Sequence, residues 1–129
     1  MLLKVSLLVA LFCAVTAGYV LWRRPPRRLE GSRLDLVGLG LAGPAIVQFT
    51  TQYCAPCKAA VPHLARAARE TQVAFAQVDV GARPDVARTH GIRTVPTIAV
   101  ADRDGRVVGV WTALPPNGEI VEAAFRARG

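Results

Sequence analysis

Ala45-Ile46-Val47-Gln48-Phe49-Thr50-Thr51-Gln52-Tyr53-Cys54-Ala55-Pro56-Cys57-Lys58 is the stretch that decides the fold of this chain. Its first six residues have the apolar, β-branched content of a buried strand. From Ala55 to about Glu70, the apolar positions Ala60, Val61, Leu64, Ala65 and Ala68 recur at helical spacing, with Lys58, Arg66, Arg69 and Glu70 mostly turned away. Cys54 therefore falls where a strand gives way to a helix, and unpaired backbone N–H groups at such a helix start favour a thiolate. Two thiols at this spacing can close into a small ring and open again, so the expected chemistry is thiol–disulfide exchange. The alternatives for the pair are an inert buried thiol couple and half of a metal site.

Downstream, Pro62 lies inside the expected helix, where it removes a backbone donor and bends the axis. Val73 to Val80 is a second strand, and Arg83-Pro84-Asp85 opens a short helix reaching about His90. Thr97 to Ala101 is a third strand, Asp102-Arg103-Asp104-Gly105 a hairpin turn, and Arg106 to Trp111 a fourth strand. Pro115-Pro116-Asn117-Gly118 precedes a last helix ending near Arg128. The order β-α-β-α-β-β-α, with a right-handed crossover and a closing hairpin, predicts an α/β fold: a mixed four-stranded sheet flanked by helices on both faces. No internal repeat or low-complexity tract interrupts it.

Upstream, Leu2 to Trp22 is apolar or small apart from Lys4, Ser6 and Thr16. As a helix rising about 1.5 Å per residue, it covers the roughly 30 Å hydrocarbon layer of a bilayer. Tyr19 and Trp22 suit the interfacial belt of a span. A cleavable signal peptide is the alternative, with Val15-Thr16-Ala17 before Gly18 as a passable cleavage site. The expected organisation is a transmembrane anchor at 1–22, an Arg/Pro-rich tether with an irregular lead-in at 23–43, and one domain at 44–129. Only a short strand or turn is expected within Gly31–Gly43. Arg23, Arg24, Arg27 and Arg28 follow the span, and the positive-inside bias keeps that side cytoplasmic. Lys4 leaves an extracytoplasmic domain as the alternative.

The 129-residue chain is 52% hydrophobic and carries a net charge of +7, but both figures are inflated by the N-terminal region. The 16 basic residues include Lys4 and those four arginines; setting these five and the tether's Glu30 aside leaves 11 basic and 8 acidic residues. That modest surplus, with no basic block interleaved with aromatics, argues against nucleic acid. Membrane lipid is the expected partner of residues 2–28, with anionic headgroups against the arginine cluster. Of three cysteines, Cys13 lies inside the span, and no ligand set with His63 or His90 completes a zinc site. No metal and no cofactor is expected.

Tyr53-Cys54-Ala55-Pro56-Cys57-Lys58, with Pro62 and the distant Gly91-Ile92-Arg93-Thr94-Val95-Pro96-Thr97, closely resembles thioredoxin over about Ala45 to Arg128. The resemblance implies a thioredoxin-like fold and a thiol–disulfide oxidoreductase acting on protein disulfides, resupplied by a reductase or another electron donor. Cys54 is then the nucleophile, its thiol pKa lowered from roughly 8.5 by the helix start. Cys57, one turn inside, is the resolving thiol, and Pro56 fixes the first turn between them. Pro96 is expected in cis, presenting the backbone of Val95 to a bound peptide; without the resemblance it reads as an ordinary trans proline. Tyr53 takes the place of the family's tryptophan as an apolar lip, or is a half-buried packing residue. Lys58 either favours the thiolate electrostatically or is a solvated helix residue. Ala-Pro between the cysteines is close to the Gly-Pro of reducing members, which points to a reductase. The alternative that keeps this chemistry is an extracytoplasmic thioredoxin-like protein of cytochrome maturation or disulfide repair, and a binding module with incidental thiols is the reading from another class.

The chain also departs from the family pattern. Gln48 stands where thioredoxins carry a buried carboxylate, and Gln77 where they place its lysine. Neither amide takes up a proton at neutral pH, though the two can hydrogen-bond each other or a water. Thr112 stands near a family glycine beside the groove, and the family's N-terminal strand and helix are shortened or lost between Leu29 and Gly43.

Overall fold

The computed structural model describes residues 1–23, 29–116 and 118–129. The tether residues 24–28, with their prolines and arginines, and Asn117 of the turn before the last helix lie outside them. The first element, α1 (Leu2–Trp22), buries none of its residues and packs against no other helix or strand. Its two aliphatic hydroxyls turn back on the helix, Ser6 Oγ donating to the Leu2 carbonyl at 2.9 Å and Thr16 Oγ1 to the Phe12 carbonyl at 2.8 Å. That satisfies them without solvent. The helix is long and apolar enough to cross a membrane, and its position near the N-terminus fits a signal sequence equally.

The domain follows as β1 (Ala45–Thr50), α2 (Ala55–Thr71), β2 (Ala74–Asp79), α3 (Pro84–His90), β3 (Thr97–Ala101), β4 (Val107–Trp111) and α4 (Glu119–Arg128). The expected order of elements is thus observed, and the sheet runs β2-β1-β3-β4. β1 is parallel to β2 and antiparallel to β3, while β3 is antiparallel to β4. β1 and β4 therefore run in the same direction.

Alternation along β1 divides the core in two. Ile46 joins Ile98 and Val100 beneath the alanine-rich faces of α2 and α4, among them Ala60, Ala68, Ala123 and Ala124. These small residues let two helices settle closely on one face of the sheet. Val47 and Phe49 point the other way, toward Val86 of α3 and toward Leu29, Leu34 and Leu36. Gln48 shares the side of Ile46, which sets it under α2.

Residues 29–43 are irregular in backbone yet contribute to the core. Leu29 is completely buried. Gly31 N–H donates to the Val107 carbonyl, Val107 N–H to Ser32, and Leu34 N–H to Gly105, so the segment runs along the start of β4. Of the short strand or turn expected there, the strand amounts to a single bridge, Arg33 with Arg106, and residues 36–40 form a turn. α2 runs unbroken through Pro62, whose missing N–H leaves the Lys58 carbonyl without its helical donor. At the far end of α2, Arg128 Nη1 donates to the Thr71 carbonyl at 3.2 Å, tying α4 to that helix's C-terminus.

Candidate functional site

Cys54 is the N-cap of α2, with φ −89° and ψ 100°, and its Sγ accepts the backbone N–H of Cys57 at 3.2 Å. A cap residue must leave the helical conformation and offer an acceptor to the first turn; sulfur does here what a hydroxyl or carboxylate oxygen does elsewhere. Pro56 occupies the first turn, where no partner exists for the N–H it lacks. Lys58 N–H then donates to the Cys54 carbonyl at 3.2 Å, opening the helical ladder. The first turn contains no acidic residue, so no negative side chain on it opposes a thiolate.

The two cysteines form a disulfide, with an S–S distance of 2.08 Å and Cα atoms 5.2 Å apart. Cys54 retains 8% exposure and Cys57 none. Of the pair, only Cys54 is open to attack from outside.

Beneath the disulfide lies a chain of amides. Gln48, fully buried, donates from Nε2 to the Cys57 carbonyl at 2.9 Å, and its Oε1 accepts from Gln77 Nε2 at 2.9 Å. The Gln48–Gln77 contact is the one foreseen from sequence; the link to Cys57 is not. Its signal was present, since the parity of β1 places Gln48 on the α2 side, but the facing atom depended on where α2 sits. An open hollow lined by Thr50, Gln52, Lys58, Gln77 and Asp79 brings solvent to the outer end of this chain.

The peptide bond between Val95 and Pro96 is cis, as expected. Pro96 is buried, Val95 half-buried, and Thr97 Oγ1 closes the loop by donating to the Thr94 carbonyl at 2.7 Å. Because Thr97 pairs with Phe49, this loop lies at the same end of the sheet as Cys54. Tyr53 is 87% exposed, so it is a surface residue and not a packing one. Lys58 is also exposed.

Residues outside this cluster have other contacts. Trp111 packs at the edge of the α2–α4 core and donates from Nε1 to Glu119 Oε2 at 2.9 Å. His63 is exposed, whereas the His90 ring rests against Phe49 with centroids 6.4 Å apart, and burial lowers its pKa. Cys13 is a free thiol on the exposed surface of α1. Among the described residues, no three His, Cys, Asp or Glu side chains come together as metal ligands.

The family model described as Thioredoxin matches residues 40–123. The chain is 34% identical to Thioredoxin C-2 of Corynebacterium nephridii over 84 residues, which is 64% of this chain and 75% of that protein. It is 39% identical to the thioredoxin of Mycoplasma pneumoniae over 59 residues, 45% of this chain and 58% of that one. It spans 50% of the length of Thioredoxin C-3 of Corynebacterium nephridii, and about half the length of several other relatives that it matches. Among solved structures, Fasciola hepatica thioredoxin superposes with a TM-score of 0.60 at 25% identity, over 73% of this chain and 89% of that one. A mutant thioredoxin of Halobacterium salinarum gives 0.63 at 22% identity, over 78% and 88%.

Proposed function

Because the chain belongs to the thioredoxin family, we propose that it is a membrane-tethered thiol–disulfide oxidoreductase that reduces disulfides of protein partners. The observation that carries this reading is the Cys54–Cys57 disulfide at the amino end of α2, with the Cys57 N–H directed at Cys54 Sγ. In the dithiol form the same N–H would stabilise a thiolate on the accessible sulfur.

Cys54 thiolate attacks one sulfur of the partner's disulfide, forming a mixed disulfide and expelling the other partner sulfur as a thiolate, which takes up a proton. Cys57, deprotonated, then attacks Cys54 Sγ and releases the second partner thiolate. Two electrons pass to the partner, and the chain is left as the Cys54–Cys57 disulfide. A dithiol reductase or another dithiol donor must restore it. Val95, held by Pro96, offers main-chain N–H and C=O groups to the partner's backbone, and Tyr53 supplies an apolar lip. Pro56 holds the first turn, Lys58 adds positive charge beside it, and Gln48 anchors the Cys57 carbonyl.

The α1 helix inserts in the membrane, and lipid headgroups take up the arginines around residue 23. The arginine flank favours a cytoplasmic domain; an alkaline phosphatase fusion at Gly129 that is active would place it outside. Activity is tested by insulin reduction with the full chain in detergent. Wild type turns over with a dithiol donor and Cys54→Ser does not; equal rates from the two would refute the enzyme.

A further inference from the structure

The end of the sheet that carries the disulfide is also the end from which the apolar helix departs. β1 and β4 run in the same direction, and across the sheet Gln48 pairs with Ile98 and Ile98 with Trp111. Thr112, the next residue, lies level with Phe49 and Thr97, about two strand spacings or roughly 10 Å from β1. Its Oγ1 donates to the carbonyl of Arg23, the C-cap of α1, at 2.7 Å.

Three further observations fix the direction. α1 packs against no element of the domain, so it leads away from this end and does not lie along the sheet. Tyr19 and Trp22 sit at its C-terminal end with ring centroids 6.5 Å apart, and the Arg23 guanidinium lies over the Tyr19 ring at 5.6 Å. Such aromatics settle at headgroup level, which puts Arg23 and therefore Thr112 there too. Finally, Leu29 is completely buried, and the six steps from Arg23 to Leu29 span at most about 20 Å. The domain is held close to the surface from which α1 emerges.

We propose that the redox end of this domain faces the lipid surface, and that its substrates are disulfides of membrane proteins exposed close to the headgroups. The proposal rests on the oxidoreductase reading above and on insertion of α1. Soluble partners would meet the opposite, site-free end of the domain.

The test uses the full chain in lipid nanodiscs. A bimane probe is placed on Tyr53→Cys, or on Asp104→Cys in the turn at the far end of the sheet, each in a Cys13→Ala, Cys54→Ser, Cys57→Ser background. Headgroup spin-labelled lipid should quench the Tyr53→Cys probe several-fold more strongly; equal or reversed quenching overturns the orientation. Separately, the wild-type chain is given lipid-anchored disulfide peptides, displayed directly at the headgroups or on a 40-residue helical spacer about 60 Å long. Reduction should be about tenfold faster for the short display, because the effective concentration at a membrane-facing site is higher. Equal rates, or a preference for the long spacer, overturn the substrate class. Reduction of neither peptide with the quenching difference intact would refute the oxidoreductase reading and leave the orientation standing.

Discussion

Gln48 holds the carbonyl of Cys57 by a 2.9 Å hydrogen bond from Nε2, and both residues are fully buried. Gln77 in turn donates to Gln48 Oε1, so every polar atom of the buried Gln48 amide has a partner. The group beneath the disulfide is thus neutral across the physiological pH range, where the family pattern has an ionisable pair. It positions the first turn of α2 without exchanging a proton with it.

Removing that amide should cost stability. Gln48→Ala opens a cavity under α2 and takes a donor from the Cys57 carbonyl, a combined loss of about 3 kcal/mol. Urea denaturation of the oxidised chain measures it. A loss below about 1 kcal/mol would mean the amide chain does not hold α2 in place.

Cys57→Ser should trap partners, since Cys54 can attack but nothing releases the mixed disulfide. A dithiothreitol-sensitive adduct on a non-reducing gel is expected from this variant and not from Cys54→Ser. With only amides beneath Cys57, resolution in wild type should accelerate with pH about tenfold per unit below the Cys57 pKa. Gln48→Asp, by adding a buried proton acceptor, should bend that line. A straight line in both chains would remove any role for the residue at 48 in proton transfer.

Much of this architecture was readable in the sequence because its signals are local. Apolar and β-branched content delimits β1 and β3 to the residue, and helical spacing delimits α2 to within one. The Cys54–Cys57 pairing follows from the spacing and its place at a helix start, with an inert pair or half a metal site as the alternatives, whereas the cis bond before Pro96 was accessible only through resemblance. What escaped was tertiary. Nothing local in Leu29-Glu30-Gly31-Ser32-Arg33-Leu34 marks it as core, because its partners at Gly105 and Val107 are more than seventy residues away. The contact between Thr112 and Arg23 is likewise invisible without the direction of β4.

That hidden core predicts where the domain begins. Leu29→Ala should destabilise it by about 2–5 kcal/mol, the range for emptying a fully buried leucine site. A fragment of residues 29–129 should unfold cooperatively, while residues 44–129, lacking Leu29, Leu34 and Leu36, should show a lower midpoint and a shallower transition. Equal midpoints would place the domain boundary at 44.

Gly105 ends the β3–β4 turn at φ +82°, and an added Cβ would collide with the backbone carbonyl oxygen of Leu34. Gly105→Ala therefore meets two penalties, the left-handed conformation and a clash with main chain that cannot swing aside. The expected loss is at least about 2 kcal/mol. Gly31→Ala at φ +75° has nothing near its Cβ and should lose only the conformational part, about 1–2 kcal/mol. Thermal unfolding of the two variants side by side checks the difference; similar losses would rule out the Leu34 contact.

His90 gives the domain a pH dependence whose direction follows from its burial. Desolvation lowers its pKa below the ordinary 6.5 because the half-buried ring disfavours a charge. Above pH 6.5 the ring is neutral in folded and unfolded chains alike, and its contribution is fully present. As the pH falls below 6.5 the unfolded chain binds a proton that the folded chain resists, so stability declines until the folded ring protonates as well. Carboxylates titrate in both wild type and His90→Gln, and the difference between them isolates this residue. Urea midpoints at about pH 7.5 and about pH 5.5 should fall further in wild type than in His90→Gln. Parallel declines would show that the ring against Phe49 is as easily charged in the fold as outside it.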